Sequence, residues 1–250
     1  MAIVEYYPAT ERYVLAHIYD QITSKDDHSP DHVLIEYITK TSNVKSIHID
    51  VPLQLPKTIL NILKGQSTEA DHHEELRWMK NFYSQEVSTK KLSRSLSPYT
   101  ERVAELYWKN KLDEKFILDH AGGANKAPLM FRAMYLNHLL PKYKMYEFYP
   151  KVSVWQIGRA YKVAKSVLRS YAHSVYGQES REQILTQLEK HMNLFSYEVE
   201  KRKMLKDINA FNAFVGALTG VYHHNKLIHT KDLGLPKTTA WPHVPLEKKL

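Results

Sequence analysis

Apolar residues dominate "AIVEYYP" and "RYVLAHIYDQI", many of them β-branched or aromatic, and the short turn "PATE" separates the two runs. Two such runs joined by so tight a turn predict a β-hairpin. The pattern then changes. In "SPDHVLIEYITK", Leu34, Ile35 and Ile38 fall on one side of a helix running to about Lys40. Ser29 is placed to cap it, Pro30 fits its first position, and Asp31 suits its positive end. Apolar and polar residues alternate in "SIHID", a strand that ends at Asp50 before a loop pinned by Pro52 and Pro56. Strand, strand, helix, strand is the order of a mixed α/β sheet and not of an all-helical fold.

From about residue 57 to 140 the spacing is helical. "KTILNILKG", "EADHHEELRWMKNFYSQEV", "PYTERVAELYWKNKL" and "APLMFRAMYLNHLLPKY" each carry apolar steps of three and four, and "STKKLSRSLSP" is a polar, basic loop. This reads as a helical insertion in a single domain. The sheet resumes at "KMYEFYP", closed by Pro150. "VWQIGRAYKVAKSVLRSYAHSVYG" predicts a mostly helical stretch stopping near Gly177, and Ser180 with Gln183 is spaced as a capping box for the next helix. In "KDINAFNAFVGALTGVYHH", Ile208, Phe211, Val215, Leu218 and Tyr222 form a buried stripe. Asn209, Asn212, Gly216 and Gly220 form a second stripe, small enough to let the helix approach a sheet or a ligand closely. The tail from about 228 to 250 is proline-punctuated and reads as extended.

Composition narrows the chemistry. The 250 residues contain no cysteine, which removes disulfides, thiolate metal sites and cysteine nucleophiles and agrees with a reducing cytoplasm. No stretch approaches the ~18 apolar residues of a membrane span, and "MAIVEYYPATERY" lacks the basic and small-residue features of a signal peptide. The expectation is a cytoplasmic protein without a membrane partner. Lys and Arg number 35 against 27 Asp and Glu, and the resulting net charge of +8 attracts phosphates, making nucleic acid a reasonable partner.

Asp50 closes an apolar strand, where an aspartate either bonds loop amides or serves a site. Glu147 is flanked by aromatics and needs solvent, a partner charge or a metal, since burying it unpaired is costly. If the two strands end at one edge, their carboxylates converge as Mg²⁺ requires. His72 and His73, with Asp71, Glu74 and Glu75, sit at neighbouring positions of a helix and point apart, so they read as a solvated face. "HAGGANKAP" lacks the phosphate-loop pattern, and no nucleophile elbow is present. Arg159, Lys162, Lys165 and Arg169 recur at steps of three and four as a basic stripe suited to a phosphate backbone, or to solvent.

"IHIDVPLQLP", "YEFYPKVSVWQIG" and "NAFNAFVGALTG", in that order and with "AWPHVP" near the end, resemble a domain-of-unknown-function family of nucleases with a ribonuclease H-like fold. The resemblance covers most of residues 44 to 245. It implies a metal-dependent nuclease using Mg²⁺ or Mn²⁺, with Asp50 as metal ligand and catalytic acid and Glu147 as an auxiliary acid. Asn209 and Asn212 fall where the family carries aspartates, and Asp207 is a further candidate acid on another face. The family's first strand also carries an aspartate. Here the chain opens at what resembles the second strand, and Glu5 substitutes only if "AIVEYYP" is the first. Asparagine lends a carbonyl oxygen but no charge, so the resemblance implies a depleted site. The rival is a non-catalytic module of the same fold that binds nucleic acid or protein.

Overall fold

The computed structural model describes residues 1–18, 30–65, 74–88, 97–114, 118, 121–123, 126–237 and 239–250. Asp20, Ser29, Asp71, His72 and His73, and most of the basic loop after residue 88, lie outside the described residues. The fold is mixed α/β and divides into two compact units. The first comprises Met1–Asp50, Leu136–His229 and His243–Leu250; the second comprises Val51–Tyr135 and Thr230–Pro242.

In the first unit, β1 (Ala2–Tyr7) and β2 (Arg12–Ile18) form the expected antiparallel hairpin. β5 (Leu194–Ser196) adds to β2 in parallel, giving the order β1-β2-β5. The strand before Asp50, β3 (Ile47–Ile49), pairs in parallel with β4 (Met145–Glu147) as a separate two-stranded sheet. The local pattern that marks a strand does not say which strands share a sheet. α1 (Pro30–Lys40) occupies its expected span, although only Ile38 of its apolar side is buried.

The long helix expected from residue 154 to 177 is instead two. α6 (Pro150–Ala160) ends in a Schellman arrangement, in which Val163 N–H bonds Gly158 O at 2.9 Å and Lys162 N–H bonds Arg159 O at 3.0 Å. Lys162 holds the left-handed position, φ 60°, that glycine usually takes. α7 (Lys165–Ser170) follows, and Gly177 starts α8 (Gly177–His191) instead of stopping a helix. Ser180 therefore lies inside α8, its hydroxyl bonded to Tyr176 O, and is no cap. α9 (Glu198–Lys206) precedes α10 (Ile208–His224), whose buried side includes Phe211, Val215, Leu218 and Tyr222 as the spacing predicts. The end of the chain is tied in by Tyr222 Oη donating to Lys248 O and by Leu250 N–H donating to Tyr161 Oη, both at 3.0 Å.

The second unit holds α2 (Lys57–Leu63), α3 (Glu74–Ser88), α4 (Val103–Lys111) and most of α5 (Ala127–Leu139). Met79, Tyr83, Val103, Leu106 and Leu235 make its core, with Trp78, Tyr107 and Trp241 packed against it. α4 starts at Val103, later than "PYTER" suggests, because Arg102 and Glu105 are buried there as a pair: Arg102 Nε donates to Glu105 Oε1 at 2.9 Å, and its backbone N–H to Oε2 at 2.8 Å. Glu101 is buried and accepts from Tyr83 Oη at 2.7 Å.

Candidate functional site

The β3–β4 ladder sets Ile47 beside Met145, His48 beside Tyr146, and Ile49 beside Glu147. Lateral partners share a face and successive residues alternate, so His48 and Tyr146 lie on one face and Glu147 on the other. α10 crosses the His48 face at very close range. A Cβ at Gly216 would stand 2.7 Å from Phe148 Cζ and 3.6 Å from His48 O, and one at Gly220 would stand 3.1 Å from His48 Nδ1. The small-residue stripe read from the sequence therefore serves sheet contact.

From Gly220 to Gly216 the helix advances toward the C-terminal end of β3. Asn212 follows one turn further along α10 in the same direction, toward the end of β3 from which Asp50 continues. Tyr171 lies near both segments: its ring is 5.7 Å from that of Phe211, and its hydroxyl is pushed up by burial and then by the charge of Asp50. Asn212 Oδ1 is buried and has no hydrogen-bond partner among the described residues. An amide oxygen in that state forgoes about 1–3 kcal/mol unless a ligand supplies a partner.

Glu147 closes β4 at this same edge, since β3 and β4 run parallel and end together at Ile49 and Glu147. Glu147 is buried, on the opposite face of the ladder, and its carbonyl accepts the His243 N–H at 2.8 Å. Asp207 caps α10, its Oδ1 accepting the Asn209 N–H at 2.8 Å, and both residues are exposed. Glu5, on β1, is exposed and accepts from Tyr7 Oη. The four basic residues straddle the α6–α7 break and so share no single helix face. Arg159 lies 3.5 Å from Glu247, while Lys165 and Arg169 stand 5.7 and 5.9 Å over the Trp155 ring.

Two features carry no local sequence signal. His48, His223 and His243, from β3, α10 and the final segment, gather so that one ring nitrogen of each lies within 4.8 Å of the others. His48 Nε2 and His243 Nδ1 are 3.0 Å apart, within hydrogen-bond distance. Burial, then the neighbouring imidazoles, lower His48 to about 3; burial, then His223, lowers His243 to about 4. His223 is also lowered, by burial and then by His224 and Lys144. The cluster is therefore neutral at ordinary pH. The second feature is a set of exposed rings on the β1-β2-β5 sheet and just after it: Tyr6, Tyr7, Phe195 and Tyr197, with Arg12 over Phe195.

No family model, no curated protein and no solved structure matches this chain. Among the described residues no helix is long and apolar enough to cross a membrane.

Proposed function

We propose that the first unit is a ribonuclease H-like, metal-dependent nuclease-like domain acting on nucleic acid phosphodiesters, with its acidic edge reduced to one divalent-cation position at Asp50 and Asn212. The observation that carries this reading is the buried, unpartnered Oδ1 of Asn212, one helical turn beyond the Gly216 contact with β3 and β4. Mg²⁺ accepts one or two carboxylates, completing its shell with water and phosphate oxygens. Asp50 would supply charge and Asn212 a neutral oxygen. That donor set fits a single Mg²⁺ or Mn²⁺; the paired cations about 4 Å apart of two-metal hydrolysis need more carboxylates than Asp50 and Asn212 supply. A bound cation would neutralise charge on a phosphate oxygen. The chain's own residues would do the rest: basic side chains attract the backbone, and the exposed Tyr6, Tyr7, Phe195 and Tyr197 offer rings for bases to stack on.

The test is calorimetric titration of Mn²⁺ and Mg²⁺ beside cleavage assays on single-stranded DNA and RNA. Asp50→Asn is expected to abolish both cation binding and cleavage. Asn212→Asp, which restores the family's acid, is expected to tighten Mn²⁺ about tenfold by adding a negative charge next to the cation. Nucleic acid binding with no divalent cation bound at millimolar concentration would instead identify a non-catalytic module. Asp207's use as a helix cap and the exposure of Asn209 lean toward that second outcome.

A further inference from the structure

We propose that His48, His223 and His243 form a separate binding site for a borderline transition-metal ion such as Zn²⁺. Each ligand sits on a differently constrained piece of the first unit. The β3–β4 ladder fixes His48, and Gly220 lies against its ring. α10 carries His223. His243 is held by its N–H to Glu147 O and by its bridge to Phe148, while Val244 O next to it accepts the His229 N–H at 2.8 Å. Backbone pinning of this kind pre-positions ligands without calling on the metal to order the chain.

The distances suit the ion. Zn–N bonds of 2.0–2.1 Å in a tetrahedron set neighbouring nitrogens ~3.3 Å apart. The His48–His243 pair at 3.0 Å needs to open by only a few tenths of an ångström. His223 closes the set from within 4.8 Å by turning its ring. Tyr146 walls the site, stacked 4.1 Å from His243 and edge-on to His223 at 4.8 Å. An all-imidazole set favours Zn²⁺, Cu²⁺ or Ni²⁺ and disfavours Mg²⁺, so this site is chemically distinct from the Asp50–Asn212 edge. Three protein ligands leave a fourth position for water or a substrate atom. Lys144 and His224, near His223, oppose a cation and moderate its affinity.

The competing account is ring packing with one N–H···N bond and no ion. It is separated by titrating the chelator-stripped full chain with Zn²⁺ against a chromophoric chelator and by recording the visible spectrum of the Co²⁺ form. The expected result is one equivalent bound, a tetrahedral Co²⁺ spectrum, and binding weakened at least ~100-fold in His223→Gln and in His243→Asn, the upper end of what changes outside the ligand shell produce. His224→Ala, one residue along the same helix, and Asp50→Asn should both retain binding, so failure of the Mg²⁺ reading leaves this one standing. Thermal unfolding checks that each variant is folded. Absence of Zn²⁺ binding in the unmodified chain, or binding unchanged in both His223→Gln and His243→Asn, overturns the proposal, the latter because any of the chain's 14 histidines would then serve.

Discussion

At the residue scale, the histidine cluster ties stability to pH. In the unfolded chain these imidazoles titrate near 6.5, whereas the fold holds His48 at about 3 and His243 at about 4. Through the interval from about 6.5 down to about 4, the unfolded chain binds more protons than the folded one, so stability falls as pH falls. With EDTA present, the urea midpoint is expected to drop steadily from pH 7 to pH 4.5, and His243→Asn should flatten part of that slope. An unchanged slope in the variant would mean that the native ring is hydrated and titrates normally. Asp50 drew attention in the sequence because a strand-end acid and a short motif coincide there. The cluster was not, since residues 48, 223 and 243 come together only through the ladder and the last helix. Lys162 was illegible for another reason: a lysine in the left-handed position hides a helix end that a glycine would have announced.

Elements with a strong stripe are where sequence and structure agree best. α10 follows its periodicity closely, and the β1–β2 hairpin forms where its β-branched and aromatic runs place it. β5 and α9 gave no reading: three residues are too few for alternation to show, and α9 buries only Met204 among charged positions. The contact of α10 with β3–β4 makes a sharp prediction. Replacing glycine by alanine in a helix gains up to about 1 kcal/mol of propensity, but overpacking costs about 1–3 kcal/mol. At 216 the new methyl would meet Phe148 at 2.7 Å, inside contact distance, so Gly216→Ala is expected to lose ~1 kcal/mol or more net. Gly220→Ala, at 3.1 Å from a ring that can tilt, should be closer to neutral. Thermal unfolding of the two variants side by side measures the difference, and equal stabilities would mean that the helix can slide off the sheet.

For the whole molecule, the sequence indicated a change of character near residue 57 but not that residues 230–242 belong with that helical region. Leu235 and Trp241 complete the second unit's core from far along the chain, and prolines around them erase any periodicity that could have said so. Removal of residues 230–250 is therefore expected to damage both units. The second loses the buried Leu235, worth about 2–5 kcal/mol even as a leucine-to-alanine change, together with Trp241. The first loses His243, Val244 and the hydrogen bonds to Tyr222 and Tyr161. Near-ultraviolet circular dichroism and dye binding should report lost tertiary packing in the shortened chain. A native spectrum would show that the tail only decorates the units.

The path of the chain from His229 through Pro242 and back to His243 also sets an order of events during synthesis. A growing chain usually completes its domains in turn as they are translated. Here each unit takes buried residues from the segment 230 to 250, so apolar surface of both is expected to stay uncovered until that segment has been made. Newly made chains should depend on chaperones more than their modest size suggests, and slowing translation should do little to help them.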